Sequence, residues 1–308
     1  MAEPIPIILD TDPGIDDAMA IFFAAADQRI DLLGLTTVFG NVPVWMATRN
    51  ALVLAEAVGG IPVAEGAGAP ITQALRQDAR HVHGPHGLGD VVPPQPSGGP
   101  DPRGATAFLA ETLAARPGEV TIIAVGPLTN LAAALAHDPA IAEHAAKVVV
   151  MGGAVRQGGN VTPHAEANFY QDPHAAEAVL NAPWPVDVIG LDITQGVLLS
   201  PAELAPMAQT SPRCGRFLCD VAAYYFRFHK EKRGLDGCYL HDPTAVIRAT
   251  DPALFEMVAA PIAITLDGEA AGRSREGGTG PAQRFAVGVD IAGVKARFLG
   301  ALTAGRLP

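Results

Sequence analysis

The chain has 308 residues, 49% of them hydrophobic and 17% charged, which is ample for a large buried core. A formal net charge of -11 argues against nucleic acid and anionic membranes as partners. Glu3 with no basic n-region, and no apolar run of membrane-spanning length, lead us to expect a cytoplasmic protein.

From the first residues onward, apolar runs alternate with helical stretches. Ile5, Ile7, Ile8 and Leu9 read as a buried strand, and residues 18–24 as a helix, with Pro13-Gly14 as the break between them. Residues 32–38 predict a second strand, 44–58 the helix after it, and 61–63 a short third strand. Residues 76–103 are rich in Gly, Pro and His and too long for an ordinary connector, so they are a candidate active-site loop. Residues 120–125 and 147–151 are two further strands whose β-branched content predicts burial on both faces. The Gly-rich, then polar, stretch 152–171 should emerge at the same sheet edge. A strand over 185–191 follows, with helices over 172–181, 201–209 and 213–232. Residues 258–266 and 284–289 read as late strands forming a hairpin, before a final helix over 291–302. This repeated order predicts an α/β fold: a mostly parallel central sheet flanked by helices, Rossmann-like and open, in a single domain over residues 1–308. Trp45 and Trp184 read as structural residues. The three cysteines, Cys214, Cys219 and Cys238, show no disulfide or metal spacing and read as buried, inert thiols.

The segment Asp10-Thr11-Asp12-Pro13-Gly14-Ile15-Asp16-Asp17 concentrates four carboxylates where a strand ends and a helix begins, the place at which open α/β sheets bind ligands. Acids are welcome in a first helical turn, but so many in one volume should raise one another's pKa. A hard cation with oxygen ligands, Ca²⁺ or Mg²⁺, removes that conflict, and a capped helix with solvated acids is the plainer alternative. Asp242, in His241-Asp242-Pro243-Thr244, opens another helix-like run and offers a fifth acid. At a site edge His241 would be a usable acid near neutrality. Asn160, Glu166 and Asn168 supply the mix of donors and acceptors that a polyol needs. Tyr225 and His229, four apart on a predicted helix, share a face and suit a base pocket, although aromatics at this spacing are as readily core.

Taken with Thr36-Thr37-Val38-Phe39-Gly40-Asn41, Gly126-Pro127-Leu128-Thr129-Asn130, Met151-Gly152-Gly153 and His241-Asp242-Pro243, the acidic segment resembles the inosine–uridine nucleoside hydrolase family. The likeness spans residues 5 to about 250, and the stretch Arg273-Ser274-Arg275-Glu276-Gly277 is less typical. It implies calcium-dependent hydrolysis of ribonucleosides to ribose and free base. By resemblance, Asp12, Asp17, Asp242 and the main-chain carbonyl of Val125 hold Ca²⁺, the last at a position where the family often has Thr. Asp12 is also the general base toward a calcium-bound water, and Asp16, Asn160, Glu166 and Asn168 grip the ribose. His241 is a proton donor near the leaving base, Asp10 and Asn41 are supporting residues, and His83-Gly84 with Gly87-Leu88-Gly89 match a loop that closes over substrate. The resemblance also implies a homodimer or homotetramer, and it leaves the preferred base open. Two other readings remain: a haloacid-dehalogenase-like phosphohydrolase with Asp10 as nucleophile, which would want Thr where Gly14 stands, and a non-catalytic nucleoside- or ribose-binding protein. A zinc site in His81-Val82-His83-Gly84-Pro85-His86 is disfavoured, since Pro85 takes the acid position.

Overall fold

A computed structural model describes residues 3–211, 213–304 and 307. Its strands in chain order are β1 (Ile5–Thr11), β2 (Ile30–Thr37), β3 (Val63–Glu65), β4 (Thr121–Ala124), β5 (Lys147–Met151), β6 (Val186–Ile189), β7 (Leu198–Leu199), β8 (Cys238–Tyr239), β9 (Phe255–Ala260), β10 (Ile262–Ile264), β11 (Ser274–Glu276) and β12 (Gln283–Val289). Eight of them form one sheet in the order β3-β2-β1-β4-β5-β6-β12-β9. All neighbours are parallel except β9, which runs antiparallel to β12 at the edge. The expected mostly parallel sheet flanked by helices is therefore present.

Alternation along each strand sorts its residues to two apolar layers. Ile7 and Leu9 join Ile123 and Val149 beneath the helices Ile15–Ala26, Cys214–Arg233, His241–Thr250 and Ile291–Thr303. Ile8 joins Ile122, Val148 and Val150 beneath the helices Gly104–Ala115, Thr129–His137 and Pro173–Asn181. Because both faces are covered, β1, β4 and β5 are continuous hydrophobic runs, and their central residues are fully buried. The chain leaves β1 for β2 on one side and returns to β4 on the other, so the strand order reverses beside β1. A crevice opens at that point outside the carboxyl ends of the strands. The acidic segment and Gly126 meet there.

Several sequence expectations need correction. Residues 258–266 are two strands, not one, because the chain passes at Pro261 from the main sheet into a separate ribbon, β10 with β11. Residues 201–209 are two short helices, Pro201–Leu204 and Met207–Thr210, separated at Pro206, whose ring cannot continue the first. The helices Gly104–Ala115 and Thr129–His137 escaped the reading because alanine predominates in both and marks no clear apolar stripe. Trp45 is not a core residue: it is 60% exposed, with the Arg49 guanidinium over its ring. Trp184 is buried and donates from Nε1 to the Val179 carbonyl at 2.9 Å. Cys219 is only half-buried, unlike Cys214 and Cys238. Among the described residues, no helix is long and apolar enough to cross a membrane.

Candidate active site

Asp17 is the most firmly held of the acids. One carboxylate oxygen accepts from Thr11 Oγ1 at 2.6 Å and from the Asp12 N–H at 3.2 Å. The other accepts from the Gly14 N–H at 2.9 Å and Asn41 Nδ2 at 3.0 Å. This reach back to the start of the helix satisfies N–H groups that the first turn cannot bond internally. Asp12 receives the Asn41 N–H on Oδ2 at 2.6 Å, while its Oδ1 is buried without a partner, as is Asp16 Oδ1. Gly126 lets β4 pass this close: a Cβ there would stand 2.8 Å from Asp12 Oδ1 and from Val38. Gly126→Ala is accordingly expected to cost about 1–3 kcal/mol by overpacking, read as a lowered Tm together with weakened cation binding.

Asp242 approaches from the first turn of its own helix, and oxygens of Asp16, Asp17 and Asp242 lie within 4.8 Å of one another. Burial raises the pKa of Asp12, Asp16 and Asp242 well above the carboxylate range, and negative charge on neighbouring carboxylates, Asp17 among them, raises them further. Such a cluster is stable as charged groups only around a cation, and all-oxygen donors on rigid backbone suit a hard divalent one. The residues present therefore fit a metal.

Beside this cluster lies a cavity of about 250 Å³. Asp16, Val125, Asn160, Glu166, Asn168 and Asp242 line one wall; Tyr225, Phe228, His229, Arg233, Tyr239 and His241 line the other. The polar wall is assembled by side chains that bridge strand ends. Asn168 Nδ2 donates to the carbonyls of Val125 at 2.8 Å and Met151 at 3.0 Å, joining the ends of β4 and β5. Glu166 caps the helix Ala167–Gln171, accepting from the N–H groups of Asn168, Phe169 and Gly153, and burial still pushes it up to about 7. Asn160 Oδ1 accepts from the Ala167 N–H.

The aromatic wall comes largely from one helix. Tyr225 and His229 lie edge to face with ring centroids 4.3 Å apart, and His229 stands 5.1 Å from Tyr239, itself 5.0 Å from His241. Arg233 and Tyr239 were missed from sequence. Arg233 was legible, since it repeats the four-residue step from Tyr225 to His229. His83 also lines this cavity and is held in place. Its Nδ1 accepts the Ile15 N–H at 3.1 Å, and its ring stacks on Tyr225 at 5.5 Å, which ties the loop to the acidic helix start. His241 departs from expectation: burial, with His229 next in effect, pushes it down to about 3, so it is neutral near pH 7 rather than a ready acid. Its Nδ1 lies 2.8 Å from Thr194 Oγ1. Asp10 does not line this cavity. It is fully buried behind it, bonded by Thr36 and Asn130 and raised to about 7 by that burial, so it is in no position to be a nucleophile.

The family model described as inosine-uridine preferring nucleoside hydrolase matches residues 7–296. The chain belongs to that family. As a nucleoside hydrolase it is an enzyme of a metal-dependent family, and neither the phosphohydrolase nor the binding-protein alternative survives. Uridine nucleosidase 1 of Arabidopsis thaliana is 44% identical over 251 residues, covering 81% of this chain and 75% of that protein. Among solved nucleoside hydrolases, a plant enzyme superposes with a TM-score of 0.94 at 37% identity, covering 98% of this chain and 99% of its own. A purine-preferring ribonucleoside hydrolase from Gardnerella vaginalis does so with a TM-score of 0.94 at 31% identity, covering 98% and 99%. One relative of the chain is thus named for uridine and another for purines.

Proposed function

We propose that this nucleoside hydrolase cleaves the bond between C1′ of a ribonucleoside and its base with the help of a calcium ion, Asp12 taking the proton of the attacking water. The observation that carries the reading is the buried acidic cluster beside a cavity lined by both polar and aromatic side chains. Asp12, Asp17, Asp242 and the Val125 carbonyl would hold the ion. When bound, it supplies the positive charge that orients and acidifies a water and grips the ribose diol. Asp16, adjacent to the ion, binds a ribose hydroxyl together with Asn160, Glu166 and Asn168. These contacts direct binding energy toward distortion of the sugar to an oxocarbenium-like state.

Tyr225, His229 and His83 receive the base, with Tyr239 and Arg233 beside them. His241, neutral and bonded through Nδ1 to Thr194, presents Nε2–H to the departing base as a hydrogen-bond donor. We further take residues 1–308 to act as one domain, since the site gathers segments that follow β1, β2, β4 and β5 of one eight-stranded sheet.

The relative named for uridine makes that nucleoside the first to test. Incubation with uridine, inosine, cytidine and adenosine in calcium is expected to release base and ribose in equal amounts from at least one of them. Silence with all four would overturn the substrate reading.

A further inference from the structure

Residues 79–88 carry His83 past the start of the acidic helix. At one end the Ala79 N–H donates to the Asn41 carbonyl at 3.0 Å, and at the other Leu88 is fully buried in the core. Between these anchors the chain turns through Gly84 and Gly87, at φ +84° and +80°. A Cβ on Gly87 would stand 2.8 Å from Asn50 Nδ2 and 3.0 Å from the Pro13 carbonyl oxygen, so the turn is pressed against both. Asn50, on the helix Val44–Ala57, is fully buried and does not line the cavity. Its Nδ2 donates to the Pro13 carbonyl at 3.1 Å and to the His86 carbonyl at 2.9 Å. One amide therefore joins the acidic segment to the loop that bears His83. Arg49 supports it, donating from Nη2 to Asn50 Oδ1 at 2.8 Å and to the same His86 carbonyl at 3.1 Å.

The two ends of this bridge do not depend on it equally. On the acidic side, the Asp17 carboxylate accepts from Thr11, Asp12, Gly14 and Asn41, so that segment is held whether or not Asn50 is present. On the loop side, the bonds that leave the turn are those to the His86 carbonyl and that of His83 to the Ile15 N–H, with the Tyr224 hydroxyl 3.5 Å from the His81 carbonyl. We propose that Asn50 is a positioning residue for the leaving base. By holding the His86 carbonyl it keeps the His83 ring on the Ile15 N–H and against Tyr225, in the part of the cavity that receives the base. This rests on the hydrolase reading above. A loop in place for a smaller fraction of the time lowers apparent affinity by that fraction. The bond-breaking step belongs to the acids on the other side of the bridge, which keep their own bonds.

The test is uridine hydrolysis by the full chain at saturating calcium, with Asn50→Leu, which keeps the volume and removes the amide. KM is expected to rise about fivefold, the loss of one hydrogen bond to the loop, while kcat stays within about twofold. The inhibition constant of free ribose, which has no base to place, should not move. In a His83→Ala background, adding Asn50→Leu should raise KM no further, because the group being positioned is gone. Arg49→Met, at a half-buried position, should move KM the same way by a smaller factor, and it decides the matter alone if Asn50→Leu does not fold. KM and the ribose constant are independent of how much of the sample is folded, so lost stability by itself changes neither. An unchanged KM in both variants overturns the inference and leaves the hydrolase intact. So does a ribose constant that rises as far as KM, which would place the effect on the acidic segment, or a full rise in KM without His83. No uracil from the wild type overturns the hydrolase reading for this nucleoside, and the role of Asn50 with it.

Discussion

Asp12→Asn is expected to lower kcat/KM by about 10²–10⁴-fold, the usual contribution of a positioned general base. The substitution keeps size and shape, so the Asn41 N–H still finds an acceptor at the Oδ2 position. What disappears is a negative charge beside Asp16 and Asp17. Loss of a metal ligand would also slow the enzyme, so the comparison belongs at saturating calcium, where weakened binding is overcome and the missing proton acceptor is not. Under those conditions kcat should fall with little change in KM, because the group acts on the attacking oxygen and not on the ground-state sugar. Asp16→Asn should do the reverse, raising KM more than it lowers kcat. A variant at position 12 that retains more than about a tenth of wild-type kcat at saturating calcium would remove Asp12 from the role of base.

Calcium should also determine whether the folded state is comfortable at all. Removing it with a chelator is expected to abolish turnover and to lower Tm. Restoring it at about one hundred times its Kd should return about 2.7 kcal/mol of stability, on the order of 5 °C. The effect should grow with pH. A carboxyl whose folded pKa lies above its unfolded value holds its proton more tightly when folded, so stability falls as pH rises through that interval. Burial raises Asp10 and Glu166 to about 7, and Asp12, Asp16 and Asp242 shift the same way. The buried histidines work in the opposite sense: His83 and His241, at about 3 against an ordinary 6.5, destabilise the fold as pH falls through that window. Above pH 6.5 their contribution is already complete, and the carboxylates alone set the slope. Metal-free protein should therefore lose Tm as pH rises from 6.5 through about 7, and calcium should flatten the loss by favouring the ionised cluster. A Tm at pH 8 indifferent to both calcium and chelator would mean that these acids hold no cation.

Much of this molecule is visible in one dimension. The strands β1, β4 and β5 announce themselves because burial on both faces demands unbroken apolar runs, and such runs need no knowledge of their neighbours. The acidic segment is equally plain, since a strand, a Pro-Gly break and a helix start lie within a few residues and bring Asp12, Asp16 and Asp17 to one edge. Arg233 lay within reach too, four residues beyond His229 on a helix whose predicted end fell one residue short.

Other features belong to the tertiary structure alone. That Asp10 stands behind the site while Asp12 opens into it depends on Thr36 and Asn130 closing over the former, and those partners come from other segments of the chain. His83 became a fixed support because the Ile15 N–H reached its ring across the fold. His241 lost its expected acidity because desolvation depends on everything packed around a group and not on its sequence neighbours. The cavity beside the acids likewise exists only where distant segments enclose a volume. The sequence by itself determined the main strands, the mostly parallel character of the sheet and the identity of the acids, because periodicity and local turn chemistry are properties of neighbours along the chain. Which of those acids line the cavity, which histidines can carry a proton, and how the site is enclosed were decided by packing, because burial and enclosure are properties of neighbours in space.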